Sequence, residues 1–219
     1  VLFRSSETAH KTLWPPLTAT VGMRRAAVLR RTARFAEAET VGVEAYTLAA
    51  RHGDWALAAT IANELAFNVG YKQQRHAEGK IWSRHAALAR HHAGDPVGLR
   101  EADELNNLAV ILYSQGRYTE SSDMHRKALA IRERNLGADH PSVAVSLNNL
   151  ANAVRNAGDF NEAVEIHKRA LAIREQVLGP DHPHVATSLN NLANVYFSQG
   201  RLDEAAELHE RALAIREAA

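Results

Sequence analysis

Apolar residues recur along this chain at the spacing of a helix, and the pattern is clearest after residue 140. Leu147, Leu150, Ala151 and Val154 share one face, the 3.6-residue period of an amphipathic helix. Gly158 follows the stripe, where a helix commonly closes on a left-handed residue. Asp159 with Glu162 three positions later has the spacing of a capping box. Ala163, Ile166, Ala170 and Ile173 then continue the stripe on a second helix. Pro183 stands where the next helix should begin, a position that needs no backbone N–H. Residues 143–183 therefore predict a helix-turn-helix unit.

The unit repeats. Leu105-Asn106-Asn107-Leu108-Ala109 returns as residues 147–151 and 189–193, a step of 42 residues each time. Gly116, Gly158 and Gly200 keep that step, as do three copies of Ala-Leu-Ala-Ile-Arg-Glu beginning at Ala128, Ala170 and Ala212. The loop Leu136-Gly137-Ala138-Asp139-His140-Pro141 returns as Leu178-Gly179-Pro180-Asp181-His182-Pro183. One hairpin cannot bury its own apolar face, whereas stacked neighbours can. The expected fold is all-α, a right-handed α-solenoid of stacked helix-turn-helix repeats.

Three units are clear over residues 100–219, and the last is expected to be truncated, since no loop follows its second helix. Over residues 21–99 the pattern is degenerate. Asp54 to Val69 and Arg75 to Ala93 read as a helix pair ending at Gly94-Asp95-Pro96. Residues 24–52 read as one or two further helices stopped at Gly53. Trp14-Pro15-Pro16 reads as a helix breaker, so residues 1–20 are expected to be linker. Within them, Val1-Leu2-Phe3-Arg4-Ser5 matches the translation of the common sequencing-adapter tail GTGCTCTTCCGATCT, so the opening is expected to be artefactual.

Composition narrows the chemistry. Aromatic residues make up only 6%, which favours helix over strand. A net charge of +1 gives no polyelectrolyte signal for nucleic acid. The chain has no cysteine, which excludes disulfides, cysteine-zinc sites and thiol catalysis and fits a cytoplasmic location. No apolar run approaches the roughly 20 residues that span a bilayer. Arg24, Arg25, Arg30, Arg31 and Arg34 form the one basic cluster. A solvated helix face is favoured there over nucleic acid or an anionic membrane surface.

The repeat resembles the tetratricopeptide repeat, specifically the 42-residue kinesin-light-chain type. Its small residues correspond to Ala109, Ala151 and Ala193, to Ala163 and Ala205 with Ser121 departing from the pattern, and to Ala128, Ala170 and Ala212. His125, His167 and His209 stand where an aromatic is usual in that family. The block Gly70 to Gly79, followed by Trp82 and the Asn-Asn-Leu repeats, is similar to the regulatory region after the kinase domain in some bacterial eukaryotic-like serine/threonine protein kinases.

That resemblance implies a concave groove lined by the first helices. Asn149, Asn152 and Asn156 lie at i, i+3 and i+7, and an asparagine amide both donates and accepts. In kinesin-light-chain repeats the matching asparagines hold the backbone of an extended peptide. The resemblance therefore implies a peptide-binding groove of Asn107, Asn149, Asn152, Asn191 and Asn194. Arg155 adds a preference for acidic ligands, and Tyr113 and Phe197 serve as apolar anchors. The same asparagines could instead bond to one another between repeats and hold the stack; both readings stand.

No catalytic residues, cofactors or metal ligands are expected. The twelve histidines include no pair at i, i+4 and no His-Glu-x-x-His. His140 and His182 read as turn residues beside proline. Ser121, Ser122, Asp123 and His125 share one helix and cannot take triad geometry. Neither Gly-rich phosphate loop is present. The expected function is a protein- or peptide-binding scaffold, the recruitment or regulatory region of a multidomain bacterial signalling protein, with a serine/threonine kinase favoured. The alternatives are the sensor region of a nucleotide-switch (STAND-type) ATPase regulator and a free-standing assembly scaffold. Neither the ligand nor the oligomeric state follows from the pattern.

Overall fold

The computed structural model describes residues 14–95 and 97–218. Among them the regular structure is ten α-helices and one π-helical turn. The chain forms two compact units, one ending at Gln115 and the other beginning at Gly116. The packing division thus falls inside the first clear sequence repeat, since tertiary contacts rather than sequence regularity define it.

The first unit contains α1 (Pro15–Arg31), α2 (Phe35–Arg51), α3 (Trp55–Phe67), the π turn (Asn68–Lys72), α4 (His76–Ala93) and α5 (Leu99–Ser114). Helix α1 pairs with α2 and α3 with α4, while α5 lies against both α3 and α4. The core is rich in alanine, with Ala19, Ala45, Ala49, Ala58 and Ala89 around Ile61 and Leu65. Such small side chains let the helix axes approach closely.

The linker expected over residues 1–20 is corrected from Pro15 onward, where α1 begins. Pro15 and Pro16 occupy the first two helical positions, whose N–H groups have no intrahelical acceptor, so their loss is harmless. Residues 1–13, with the adapter-like opening, lie outside the described residues.

The helix pair expected between Asp54 and Ala93 is present, but α3 ends in a π turn that the pattern did not signal. Asn68 Nδ2 donates to the Phe35 carbonyl at 2.9 Å, and Gln73 Nε2 donates to Glu39 at 3.0 Å. Arg75 reaches the same Glu39 at 2.6 Å. His76 Nδ1 lies 2.9 Å from the carbonyl oxygen of Gly70, which a ring protonated there satisfies. Gly70 and Gly79 cross backbone to backbone: a Cβ on Gly79 would lie 2.3 Å from the Gly70 Cα. The Gly70–Gly79 block therefore has a packing explanation of its own.

The second unit contains α6 (Tyr118–Leu136), α7 (Pro141–Ala157), α8 (Phe160–Leu178), α9 (Pro183–Ser198) and α10 (Leu202–Glu217). Helix α7 pairs with α8 and α9 with α10; α7 also packs on α6, and α9 on α8. The predicted stripes meet in one core, where Leu147, Leu150 and Val154 face Ala163, Ala170 and Ile173, with Leu192 and Tyr196 from the next hairpin. The small positions Ala151, Ala163, Ala170, Ala193 and Ala212 are completely buried.

Successive hairpins are tied by polar bonds that keep the period. Arg132 donates to Ser146 Oγ at 2.6 Å, and Arg174 donates to Ser188 Oγ at 2.6 Å. In the first unit Arg90 likewise holds Glu104 at 3.0 Å. Arg169 pairs with Glu133 at 2.6 Å and Arg211 with Glu175 at 2.6 Å. Half of the capping box forms: Asp159 Oδ1 accepts from the Glu162 N–H at 3.0 Å. The Glu162 carboxylate is taken instead by Arg126, at 2.8 Å to both oxygens.

The loop histidines are caps. His140 Nδ1 accepts from the Ser142 N–H at 3.1 Å and His182 Nδ1 from the His184 N–H at 3.1 Å. This requires the neutral ring with its proton on Nε2. His182→Ala is expected to lower stability by about 1 kcal/mol, the usual worth of an N-cap, read as a shift in the urea midpoint at neutral pH. A variant as stable as the parent would show that the cap contributes nothing.

Candidate functional site

Helices α7 and α9 follow the same sequence pattern, so equivalent side chains line up one period apart. The apolar stripe of each turns inward, which leaves the asparagine stripe on the neighbouring face. The structure divides the expected groove residues into two groups.

Asn107 and Asn191 are tied to neighbouring repeats. Asn191 Nδ2 donates to Asn148 Oδ1 at 2.7 Å. In the first unit Asn107 Nδ2 donates to Asn63 Oδ1 at 2.9 Å and to the Asn63 carbonyl at 3.1 Å. The two bonds are one device. Their sequence separations are 43 and 44 residues, and the extra residue is the one that the π turn inserts after Asn63. Sequence comparison passed over Asn63 because that insertion displaces it by one position from the 42-residue register. Asn190 has a related role, lying 2.9 Å from His209 Nδ1 and 2.6 Å from the Arg216 guanidinium. An amide that donates to the ring and accepts from the guanidinium satisfies both.

Arg155, Asn194 and Phe197 come together in an open cleft of the second unit, with Asn156, Phe160 and Ser198 completing its wall. Asn152 lies one turn before Arg155 on α7 and is half-buried, as is Asn149. Tyr113 is half-buried on α5, in the first unit. Phe160 lies outside the expected groove set, although its period-mates Tyr118 and Leu202 are also large and apolar. That recurrence at the first residue of each second helix was the available signal.

The cleft has an uneven polarity. Phe197 is 65% exposed, so its ring presents apolar surface that a ligand can cover. Arg155 has no carboxylate partner among the described residues, so its positive charge is open to a ligand. Nearby Arg201 is committed: its guanidinium lies 3.9 Å from the centre of the Tyr196 ring and it pairs with Glu204. His167, on α8, is fully buried. Burial, reinforced by the charges of Arg155 and Arg174, pushes its pKa down to about 4. The site can thus offer a cation, amides and an exposed ring. Among the described residues no group of three or more His, Asp or Glu could hold a metal ion, and no helix is long and apolar enough to cross a membrane.

The family profile described as tetratricopeptide repeat matches residues 101–176 and again 147–218, together more than half of the chain. A search of curated proteins finds no match. Among solved structures, the chain is similar to the nearly identical TPR-like repeats of a Podosopora anserina protein described as a kinesin light chain. There the TM-score is 0.76 at 22% identity, covering 94% of this chain and 97% of that one. It is also similar to BtubC (BKLC) from P. vanneervenii, with a TM-score of 0.76 at 27% identity over 88% of this chain and 77% of that one. A Rap protein complexed with Competence and Sporulation Factor matches with a TM-score of 0.73 at 16% identity, over 95% of this chain and 57% of the other. These likenesses agree with an all-α architecture of stacked helix-turn-helix repeats.

Proposed function

Because the chain belongs to the tetratricopeptide repeat family, we propose that it is a protein-binding scaffold that holds an extended, acidic peptide segment at the cleft of Arg155, Asn194 and Phe197. The observation that carries this reading is the combination in one cleft of an exposed phenylalanine and a guanidinium that has no carboxylate partner among the described residues. An aromatic anchor beside an arginine is the composition of a binding hot spot. Asn194 and Asn152 add amides able to pair with a peptide backbone, whereas Asn107 and Asn191 act mainly between repeats. The Rap protein of similar fold was solved with a bound factor, which supports the use of such repeats for holding a ligand. On this reading the chain acts by holding a partner, not by catalysis.

Selection from a random peptide library on the immobilised chain tests the site. Enriched peptides should carry Asp or Glu next to an apolar residue. Arg155→Ala with Phe197→Ala should weaken a selected peptide at least tenfold, about 1.4 kcal/mol, while the thermal melt stays nearly unchanged, because both side chains stand outside the core. Binding that survives the double change would move the site elsewhere.

The finer reading is the recruitment or regulatory region of a multidomain bacterial signalling protein, with a serine/threonine kinase favoured. Its support is the likeness of the Gly70–Gly79 block, tempered by the packing role of those glycines. The alternatives are the sensor of a nucleotide-switch ATPase regulator and a free-standing scaffold. Sequencing the surrounding open reading frame separates them. A kinase catalytic loop upstream supports the first, a phosphate-binding loop the second, and neither the third.

A further inference from the structure

We propose that the second unit carries a second ligand site, a pocket at the far end of α7 that takes a medium-chain aliphatic carboxylate of the size of hexanoate or octanoate. The pocket lies where the start of α7, the end of α8 and the start of α9 converge, and its volume is about 280 Å³. Val145, Ile173, Val177 and Leu178 form its apolar walls, and Arg174 and His184 join them in the lining. Arg155 follows Val145 by ten residues on α7, about 15 Å along the helix axis. The pocket is therefore separate from the cleft of Arg155, Asn194 and Phe197.

The walls are not a by-product of stacking. Val145 is 50% exposed and Val177 45%, so neither closes the core. At the place of Val145 the preceding repeat has Asp103 and the following one Thr187, and Asn135 stands one period before Val177. The repeat thus folds with polar side chains at both positions. Of the three clear repeats, the middle one alone has valine at both. Beside them Ile173 is buried and supplies the floor.

This apolar surface adjoins a positive charge with room for an anion. Arg174 is half-buried and has no carboxylate partner among the described residues, and no Asp or Glu lines the pocket. Its Nη1 donates to Ser188 Oγ at 2.6 Å and to the His184 carbonyl at 3.3 Å. The N–H groups of Nε and Nη2 meet no acceptor among the described residues. Burial holds the Arg174 pKa below the usual guanidinium value, because the charged form has lost water. An anion offsets that loss, and the two remaining edges of the fork match the two oxygens of a carboxylate.

Size sets the rest of the ligand. Sites for drug-sized molecules hold roughly 300–1,000 Å³, and this one falls just below. It has room for a carboxylate with a short apolar chain, whereas a long alkyl chain would be left in water. Apolar walls with a few placed polar groups are the usual make-up of a small-molecule site.

NMR titration of octanoate into the full chain tests this, read on the methyl groups of Val145, Val177 and Leu178. Their shifts should saturate, and octanol, which lacks the charge, should bind at least tenfold more weakly. Val145→Asp places a carboxylate inside the pocket with Arg174, and Val177→Asn removes apolar wall. Each change installs the side chain that the preceding repeat carries at that place. The circular dichroism melt should therefore stay unchanged while each variant binds octanoate at least tenfold more weakly. Equal binding of octanol and octanoate overturns the proposal, since the guanidinium would then play no part. So does an octanoate affinity unchanged in either variant. A peptide ending in leucine that binds at least tenfold more tightly than octanoate, and loses that binding on amidation, would assign the pocket to a polypeptide chain end instead.

Discussion

Replacing Gly79 by valine is expected to destabilise the first unit by at least about 3 kcal/mol. The substitution puts a branched side chain where even a Cβ would come within 2.3 Å of the Gly70 Cα and 2.8 Å of its nitrogen. Backbone atoms cannot rotate away, so α3 and α4 must separate, and overpacking against fixed neighbours costs 1–3 kcal/mol or more. Separation would also pull at the Asn68 and Gln73 bonds to α2. The measurement is the urea midpoint followed by circular dichroism, with Gly94→Ala as the comparison. Gly94 has φ of 71° and ψ of 139° but nothing within 4 Å of an added Cβ, so that change carries only the backbone strain of a sparsely populated conformation, roughly 1–3 kcal/mol. Equal midpoints for the two variants would show that the helix crossing is not tight.

His167→Phe is expected to stabilise the chain and remove part of its acid sensitivity. Both ring nitrogens of His167 are buried without hydrogen-bond partners, and an unsatisfied buried polar group costs about 1–3 kcal/mol. A ring of similar size without nitrogens avoids that cost, and an aromatic is what the family's pattern places there. The pH dependence follows from proton binding. Folded, His167 and His125 each protonate only near pH 4, against an ordinary value of 6.5, because burial disfavours their charged forms. The unfolded chain therefore holds more protons between those values, and acid favours it. Stability is complete above about pH 6.5 and falls as pH drops towards 4, by about 3 kcal/mol per ring at 1.36 kcal/mol per pH unit. Glu104 acts in the opposite direction, since burial raises its pKa. The difference between the parent and the single variant isolates the ring. Parallel stability curves for the two proteins from pH 7 to pH 4 would refute the assignment.

What could be read in advance depended on how strictly a feature kept the period. Helices α7 to α10 were legible because their stripes, their turn glycine at 158 and the prolines at 141 and 183 each carry a local cause. The degenerate half was legible as helix but not in register, because a single π-turn residue shifts Asn63 against Asn106 and Asn148. Trp14-Pro15-Pro16 misled because proline interrupts a helix from within and opens one at its start; the three residues alone do not say which applies. The cleft was partly legible. Arg155, Asn194 and Phe197 could be assigned to one groove through the family resemblance, but whether an amide meets a ligand or a neighbouring repeat depends on inter-helix distances that a single chain pattern does not contain. The ties of Arg132 to Ser146 and Arg174 to Ser188 were hidden for the same reason.

Those ties carry a consequence for how the protein's size can change. Each joins a residue to a partner fourteen positions later, and every participant recurs after 42 residues. Excising residues 143–184 would bring Ser188 to the place of Ser146 opposite Arg132, and Arg211 to the place of Arg169 opposite Glu133. The same bonds would form with new residues, and no junction would have to be invented. Unequal recombination between copies of the gene can therefore add or remove whole periods with the joints intact, so repeat copy number is a variable that selection can adjust in single steps.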